Sequence, residues 1–276
     1  PMTAKIEDLR ERKEAAYNAG SPRSVERQHE KGKMLARERI DYLCEWLADR
    51  QPDVVGLQEL KTEDSAFPHE RFNALGYTAV VHGEKAWNGV AVLTRSSAEV
   101  SQRGLPGQED FGARLISARV GDLSFTTVYC PNGKTLEHPD YERKLRWFDA
   151  LAAFWRETPD SDCGRVLCGD FNICPTDLDD WSGAASVGEI FRTDAERARF
   201  AGLIDLGLHD LYRVRHPDVR AFSWWDYRGG SFHRGHGLRI DTLLGCECVR
   251  ARVRDVVIDR DFRKKRGELT PSDHAP

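Results

Sequence analysis

The polar pair Asp170 and Asn172 follows the short apolar run 166–168, with Gly169 in between. The run predicts a buried strand that ends at the glycine, where the backbone can turn tightly. Residues two apart on an extended chain project from one face, so a carboxylate and a carboxamide would leave the sheet edge together. Such a pair can accept a proton, hold a hydroxide and donate to an oxyanion. The alternative is an ordinary Asx turn after a strand.

Other groups with acid–base or metal chemistry also lie at or within predicted strands. The pair Gln58-Glu59 directly follows the strand 54–57, Tyr129 ends the strand 123–129, and Asp241 is embedded in the apolar strand 239–244. Carboxylates at strand ends suit Mg²⁺, which takes oxygen ligands and keeps several waters. With a His–Asp pair, this chemistry fits in-line attack of water on a phosphodiester. The predicted constellation is Glu59, Tyr129, Asp170, Asn172, Asp241, Asp273 and His274.

Alternating strands and helices are predicted to position these groups. Further strands are expected at 77–81, 89–93 and 114–120, and helices at 140–155 and 196–211. The chain before Asp53 differs, because it shows helical patterns at 6–19 and 24–47 and no strand pattern. The sequence therefore predicts a helical segment over residues 1–45 and an α/β domain over residues 46–276.

Composition narrows the function classes. The 276 residues are 31% charged, with a formal net charge of −4. Between Val249 and Arg266 there are eight Lys or Arg and three Asp or Glu, which predicts either a local basic patch or a solvated surface. Seven cysteines without a Cys-x-x-Cys pattern indicate reduced thiols and a cytoplasmic protein. No apolar run approaches the ~18 residues of a membrane span, so no membrane association is expected.

Several motifs together resemble the exonuclease III and apurinic/apyrimidinic (AP) endonuclease family. The matching stretches are QPDVVGLQELK, YCPNG, GDFNICPTDLD, FSWWDYR, GLRIDTLL and PSDHAP, spread over residues 46–276. The resemblance implies an α/β fold, a four-layer sandwich of two mixed sheets flanked by helices, with the N-terminal helical segment as an addition. It also implies a monomeric Mg²⁺-dependent nuclease, with Mn²⁺ as an alternative ion. The expected substrate is double-stranded DNA, cut 5′ to abasic sites and trimmed from 3′ ends.

The resemblance also implies a role for each site residue. Asp170 would activate or orient the water, Asn172 would hold the scissile phosphate, and Tyr129 would contact the phosphate or the leaving group. The Asp241–His274 pair would bind the phosphoryl oxygens. The implied metal-site residues are Glu59, Asp170, Asn172 and Asp273, and the implied DNA contacts are Lys61, Arg114, Lys144, Trp224 and Arg228.

The sequence departs from this family at three places. Residues 1–44 are instead similar to the N-terminal helices of acyl-CoA carboxylase β subunits, and the family's first strand, with its metal-supporting Asn, is missing. A family Asn is replaced by Gly235–His236, and the family's last strand would follow Pro276. Without those strands, neighbouring strands would expose unpaired edges. The alternative function is therefore a chimeric or remodelled scaffold that binds duplex DNA with weak or no catalysis.

Overall fold

The computed structural model describes residues 21–158 and 164–276 together with Glu7. These residues form two compact units. One contains the described residues up to Asp49 and the segment Asp259–Pro276, and the other is Arg50–Ile258. Apart from Glu7, which is helical, the predicted helix 6–19 lies outside the described residues. Residues 259–276, which the sequence places with the α/β domain, group with the N-terminal helices.

The first unit pairs two helices with the C-terminal segment. Helix α1 (Pro22–Glu30) begins after Ser21, whose hydroxyl accepts the Ser24 N–H, and α2 (Ala36–Arg50) follows. Between the helices, Gly32 and Met34 exchange backbone hydrogen bonds with Thr270 at 2.8 and 3.2 Å. The α2 side chains Tyr42, Glu45 and Trp46 contact Phe262, Arg266 and Asp259, respectively. Ring packing, an ion pair and a hydrogen bond therefore hold the C-terminal segment against α2.

The second unit is built on two β-sheets. Its strands are β1 (Val54–Gln58), β2 (Thr78–His82), β3 (Val90–Thr94), β4 (Ala98–Arg103), β5 (Leu115–Val120), β6 (Leu123–Tyr129), β7 (Gly164–Asp170), β8 (His209–Asp210) and β9 (Asp241–Gly245). Its helices are α3 (His69–Asn73), α4 (Pro139–Glu157), α5 (Asp194–Ile204), α6 (Leu211–Arg215), α7 (Ser231–Arg234) and α8 (Glu247–Arg252). Strand β4 was not predicted, because its sequence AEVSQR is mostly polar and half-exposed and therefore shows little of the apolar pattern of a strand.

Strand order places β7 in the interior of the larger sheet. The smaller sheet has the antiparallel order β1-β3-β2, with β1 at one edge. The larger sheet has the order β4-β5-β6-β7-β9-β8, in which β6 and β7 are parallel and the other neighbours are antiparallel. The predicted α/β fold of two sheets with flanking helices is confirmed, and the mixed strand directions lie in the larger sheet.

Two apolar cores separate the layers of this unit. The first lies between α4, α5 and the larger sheet, where Trp147, Leu151 and Phe200 pack on Leu167 and Leu244. The second contains Val90 and Val92 of β3 with Ile116, Val166 and Cys168 of the larger sheet, so the two sheets face each other. Because β7 contributes to both cores, its backbone is clamped on both faces, and the residues at its end are held firmly.

Candidate active site

Three predicted site residues stand side by side across the larger sheet. Tyr129 at the end of β6 is in register with Asp170 at the end of β7, and Asp170 is in register with Asp241 at the start of β9. Because β9 runs antiparallel to β7, its first residue meets the last residue of β7. Strand pairing alone thus brings a phenol and two carboxylates side by side on three neighbouring strands.

Glu59 is joined to these three residues by a hydrogen bond with Tyr129. The Tyr129 hydroxyl donates to Glu59 Oε1 at 2.7 Å, and Lys61 Nζ lies 2.7 Å from Glu59 Oε2. Burial and the negative charge of Glu59 raise the pKa of Tyr129, so its phenol remains a proton donor at pH values where an exposed tyrosine ionises. Glu59 and Lys61 have φ of 56° and 55°. Such left-handed backbone is costly outside glycine and concentrates at functional sites.

The predicted convergence of Asp170 and Asn172 occurs by a different backbone route. Strand β7 does not end at Gly169 but continues to Asp170, and Asn172 has a left-handed φ of 50°. Asp170 Oδ1 accepts the Asn172 N–H at 2.8 Å, which is the Asx turn that the sequence left as the alternative. Gly169 is needed for close packing, because a Cβ there would collide with the Val128 carbonyl oxygen.

The Asn172 carboxamide links the ends of two neighbouring strands, β6 and β7. Its Nδ2 donates to Cys130 O at 3.0 Å and to Asp170 Oδ2 at 3.2 Å, and its Oδ1 accepts from Asn132 Nδ2 at 3.1 Å. Both N–H donors are therefore engaged, and a phosphate bound by Asn172 would have to replace one of these bonds. Asn132 was not predicted as a site residue, although it lies in the quoted YCPNG motif directly after β6.

The prediction that Lys144 contacts DNA is at odds with its burial. Its side chain is 0% exposed and forms an ion pair with Glu196, which is also 0% exposed, at 2.5 Å. Its ammonium also donates to Asn172 O at 2.7 Å and to Asn132 O at 3.3 Å. Burial lowers the pKa of Lys144, and Glu196 opposes that shift. Three acceptors satisfy the three donors of the ammonium, so Lys144 holds the backbone of the two asparagines in position from the protein interior.

The other predicted DNA contacts are partly engaged within the protein. Arg114 donates to Tyr129 O at 3.1 Å and lies 4.8 Å from the centre of the Tyr129 ring, so it supports the site tyrosine. Trp224 is half-buried and packs against the cluster that contains Ile240, the neighbour of Asp241. Arg228 has an exposed side chain and pairs with Asp226 at 2.9 Å. Trp225, by contrast, is a core residue.

A buried network of ion pairs holds Arg239, two residues before Asp241, in place. Arg239 donates to Asp179 Oδ1 at 2.5 Å and to Asp210 Oδ2 at 2.6 Å. Burial alone would raise the pKa of Asp179, but Arg239 and Arg213 hold it below its ordinary value. Asp179 and Arg239 lie in the motifs GDFNICPTDLD and GLRIDTLL, but nothing in a sequence shows which charges pair, so this network was not predicted.

An exposed tryptophan beside Glu59 was also missed. Trp87 is 70% exposed, between Ala86 and Asn88, whose φ values of 66° and 47° are left-handed. The carbonyl oxygens of Asn88 and Gly89 accept the N–H groups of Lys61 and Leu60 at 2.9 and 3.2 Å. The loop that presents Trp87 is therefore fastened to the backbone next to Glu59.

The basic stretch 249–266 carries less unbalanced charge than its composition indicates. In the second unit Arg250 pairs with Glu247 and Arg252 with Asp122, at 2.5 and 2.7 Å. In the first unit Lys264 pairs with Asp261 at 2.7 Å, and Arg266 pairs with Glu45. For these cations the pairing favours the solvated-surface alternative over a nucleic-acid patch. Asp273 and His274 belong to the first unit, and their place in the site stays a prediction.

The donor chemistry of the site fits a hard divalent cation. Glu59, Asp170 and Asp241 offer carboxylate oxygens, and the charges of Glu59 and Asp170 both act on the Tyr129 phenol. Oxygen donors suit Mg²⁺, Mn²⁺ and Ca²⁺, whereas softer metals prefer thiolate or imidazole. Fold and site thus define a class of two-sheet α/β proteins with a carboxylate-rich site at the strand ends.

None of the helices in the described parts of the chain is long and apolar enough to cross a membrane.

Comparisons with known proteins place the chain in one family. The model of the endonuclease/exonuclease/phosphatase family matches residues 17–274. Exodeoxyribonuclease III of Haemophilus influenzae is 37% identical over 239 residues, covering 82% of this chain and 88% of that relative. The structure of a 3′-5′ exonuclease from Neisseria meningitidis matches with a TM-score of 0.82 and 38% identity, over 86% of this chain and 92% of that one. An AP endonuclease structure from Archaeoglobus fulgidus matches with a TM-score of 0.80 and 29% identity, over 88% and 93%.

The chain therefore belongs to the endonuclease/exonuclease/phosphatase family. The resemblance inferred from the six motifs is confirmed. The family match begins at residue 17, inside the segment that is similar to carboxylase subunits, and that second resemblance stays a prediction.

Proposed function

We propose that this protein is a Mg²⁺-dependent DNA-repair nuclease of the exonuclease III type. It hydrolyses phosphodiester bonds of double-stranded DNA 5′ to abasic sites and removes nucleotides from 3′ ends. The observation that carries the proposal is the register of Tyr129, Asp170 and Asp241 on adjacent strands, with Glu59 bonded to Tyr129. A cytoplasmic location and a monomeric state stay predictions.

The site residues divide the work of hydrolysis. A bound divalent cation would neutralise charge on the scissile phosphate. Glu59 and Asp170 offer oxygens to hold it, and Asp170 also orients the attacking water and accepts its proton. Tyr129 stays protonated, and its single O–H, which Glu59 accepts in this structure, would turn toward the phosphate or the leaving oxygen once Glu59 holds the cation. Asn172 keeps Asp170 in place through two hydrogen bonds. The parts given to Asp273 and His274 rest on the motif PSDHAP alone: Asp273 would lie close to the metal, and Asp241 would orient His274, whose ring N–H would donate to the phosphoryl oxygens.

Glu59→Ala is expected to raise the Mg²⁺ concentration needed for half-maximal cleavage by roughly 10- to 100-fold, the scale typical of losses around a metal site. Saturating Mg²⁺ should restore much of the rate, because the variant loses a metal ligand and keeps the water-orienting Asp170. Glu63→Ala removes an exposed carboxylate four residues away and serves as the matched control. A Glu59→Ala variant with the parent's Mg²⁺ dependence would contradict this role.

Binding to an abasic-site duplex is expected to weaken steeply with salt, because phosphate contacts release counterions. Fluorescence anisotropy with the slow Asp170→Asn variant measures this affinity before an appreciable part of the DNA is cut. We expect the logarithm of the association constant to fall linearly with the logarithm of the salt concentration. A salt-independent affinity, or no binding to duplex at low salt, would remove the DNA substrate from the proposal.

A further inference from the structure

Two thiols meet at the end of β9 that lies away from Asp241. Cys246 directly follows β9 and Cys248 lies in the first turn of α8, and their sulfurs are 3.4 Å apart. Cys248 is exposed and Cys246 is half-buried, whereas Cys130, Cys168 and Cys174 are buried. The pair forms a Cys-x-Cys sequence, one residue shorter than the Cys-x-x-Cys spacing that the sequence lacks.

The Cys246 sulfur is surrounded by hydrogen-bond donors. It accepts the backbone N–H of Arg165 at 3.1 Å, and the Cys246 N–H donates to Arg165 O at 3.0 Å. Burial by itself would raise the pKa of Cys246, but the N–H groups of Arg165 and Val249 and the Cys248 thiol bring it below its ordinary value. Hydrogen bonding with Cys246 raises the pKa of Cys248. The two thiols are therefore unequal: one favours the thiolate and its neighbour keeps its proton.

We propose that Cys246 and Cys248 form a redox site in which hydrogen peroxide oxidises the two thiols to a reversible disulfide. The Cys246 thiolate attacks one peroxide oxygen, the O–O bond breaks, and the leaving hydroxide takes a proton to give water. The Cys248 sulfur then attacks the resulting Cys246 sulfenic acid, which forms the S–S bond and releases a second water. The two thiols lose two electrons, and one peroxide is reduced to two waters.

Geometry favours closure within the pair. The sulfurs must move from 3.4 Å to a bond length of about 2.05 Å, a distance that rotation of the exposed Cys248 side chain can supply. Asp241 begins β9 and Cys246 follows its end, so the dithiol lies roughly 17 Å from the carboxylate site at about 3.3 Å per strand residue. The disulfide is therefore expected to leave the nuclease site intact, and the proposal does not rest on the proposed function.

The test is a thiol map of the folded protein after brief treatment with about one equivalent of hydrogen peroxide. Trypsin releases residues 240–250, whose only cysteines are Cys246 and Cys248. We expect this peptide to lose the mass of two hydrogen atoms and to regain it after reduction with dithiothreitol. The peptides with Cys130, Cys168 and Cys174 should stay reduced in the same sample, because those thiols are buried.

Two variants and a control separate the steps. In Cys248→Ser, oxidation should stop at the Cys246 sulfenic acid, which a dimedone probe captures, and in Cys246→Ser, residues 240–250 should stay unmodified. Cys163→Ser is the matched control, because Gly164, the next residue in the chain, lies beside the Cys248 sulfur. The control should oxidise like the parent. Two reduced thiols in peptide 240–250 after treatment, or a disulfide that joins it to Cys163, would overturn the proposal.

Discussion

Replacing Asp170 by asparagine is expected to slow DNA cleavage by roughly 10²–10⁴-fold, the contribution of a positioned general base. The variant side chain keeps the size of the carboxylate but cannot take a proton from water. It also puts an NH₂ group where an oxygen now accepts a hydrogen bond from Asn172. The missing proton acceptor and the disturbed hydrogen bond with Asn172 both slow the chemical step, so kcat is expected to fall even at saturating Mg²⁺. Metal affinity is expected to fall as well, because Asp170 is one of the proposed metal ligands.

The measurement is the single-turnover rate of cleavage with enzyme in excess, which isolates the chemical step from product release. Asp205→Asn is the matched control, since Asp205 is an exposed carboxylate in the same unit, after α5. It should cleave at the parent's rate. If Asp170→Asn cleaves as fast as the parent, Asp170 does not orient the water, and the proposed division of roles fails.

The second large effect is expected on stability, from Glu196→Gln. This change leaves the Lys144 ammonium buried without its carboxylate, and breaking a buried ion pair in this way typically costs about 3–5 kcal/mol of unfolding free energy. The amide retains an oxygen that can still accept from the Thr193 N–H, so the cap of α5 is largely kept. Urea denaturation of the parent and the variant gives the difference.

Two further variants distinguish the contribution of the Lys144–Glu196 pair to stability from the role of Lys144 in positioning Asn132 and Asn172. Asp194→Asn alters an exposed acid in the first turn of the same helix and should cost only about 0.3–1 kcal/mol. The double variant Lys144→Met with Glu196→Gln removes both charges, keeps an oxygen for the α5 cap, and should recover part of the stability. It should still cleave slowly, because the Asn132 and Asn172 carbonyls lose their ammonium donor. Full activity in the double variant would show that Lys144 does not position the site.

The sequence predicted Tyr129 at a strand end, because a strand is a local pattern and its polar end residue is visible, whereas Asp241, expected inside the strand 239–244, begins β9. Strand β6 was predicted over the residues it occupies, and Tyr129 stands at its end. That Tyr129 lies beside Asp170, and Asp170 beside Asp241, depends on strand order and direction. Neither property is written in a local pattern, so the family resemblance was needed to join the residues into one site.

Side-chain partners were the least predictable part. Lys144 has the sequence features of a surface cation on an amphipathic helix, yet it is buried because Glu196, 52 residues later in the chain, supplies its counter-charge. The backbone at Asn172 likewise departs from the extended conformation assumed from the strand before it, because the Asp170 carboxylate captures its N–H. Both outcomes depend on contacts made only after the sheets and helices pack.

The most direct test of the proposed function is incision of a labelled duplex with a single abasic site, across a Mg²⁺ titration and in EDTA. We expect nicking 5′ to the abasic site that rises with Mg²⁺ and stops in EDTA, together with slow removal of nucleotides from a recessed 3′ end. Nicking that persists in EDTA would contradict the metal-dependent mechanism. Duplex binding without nicking at any Mg²⁺ concentration would contradict the nuclease and favour the DNA-binding scaffold.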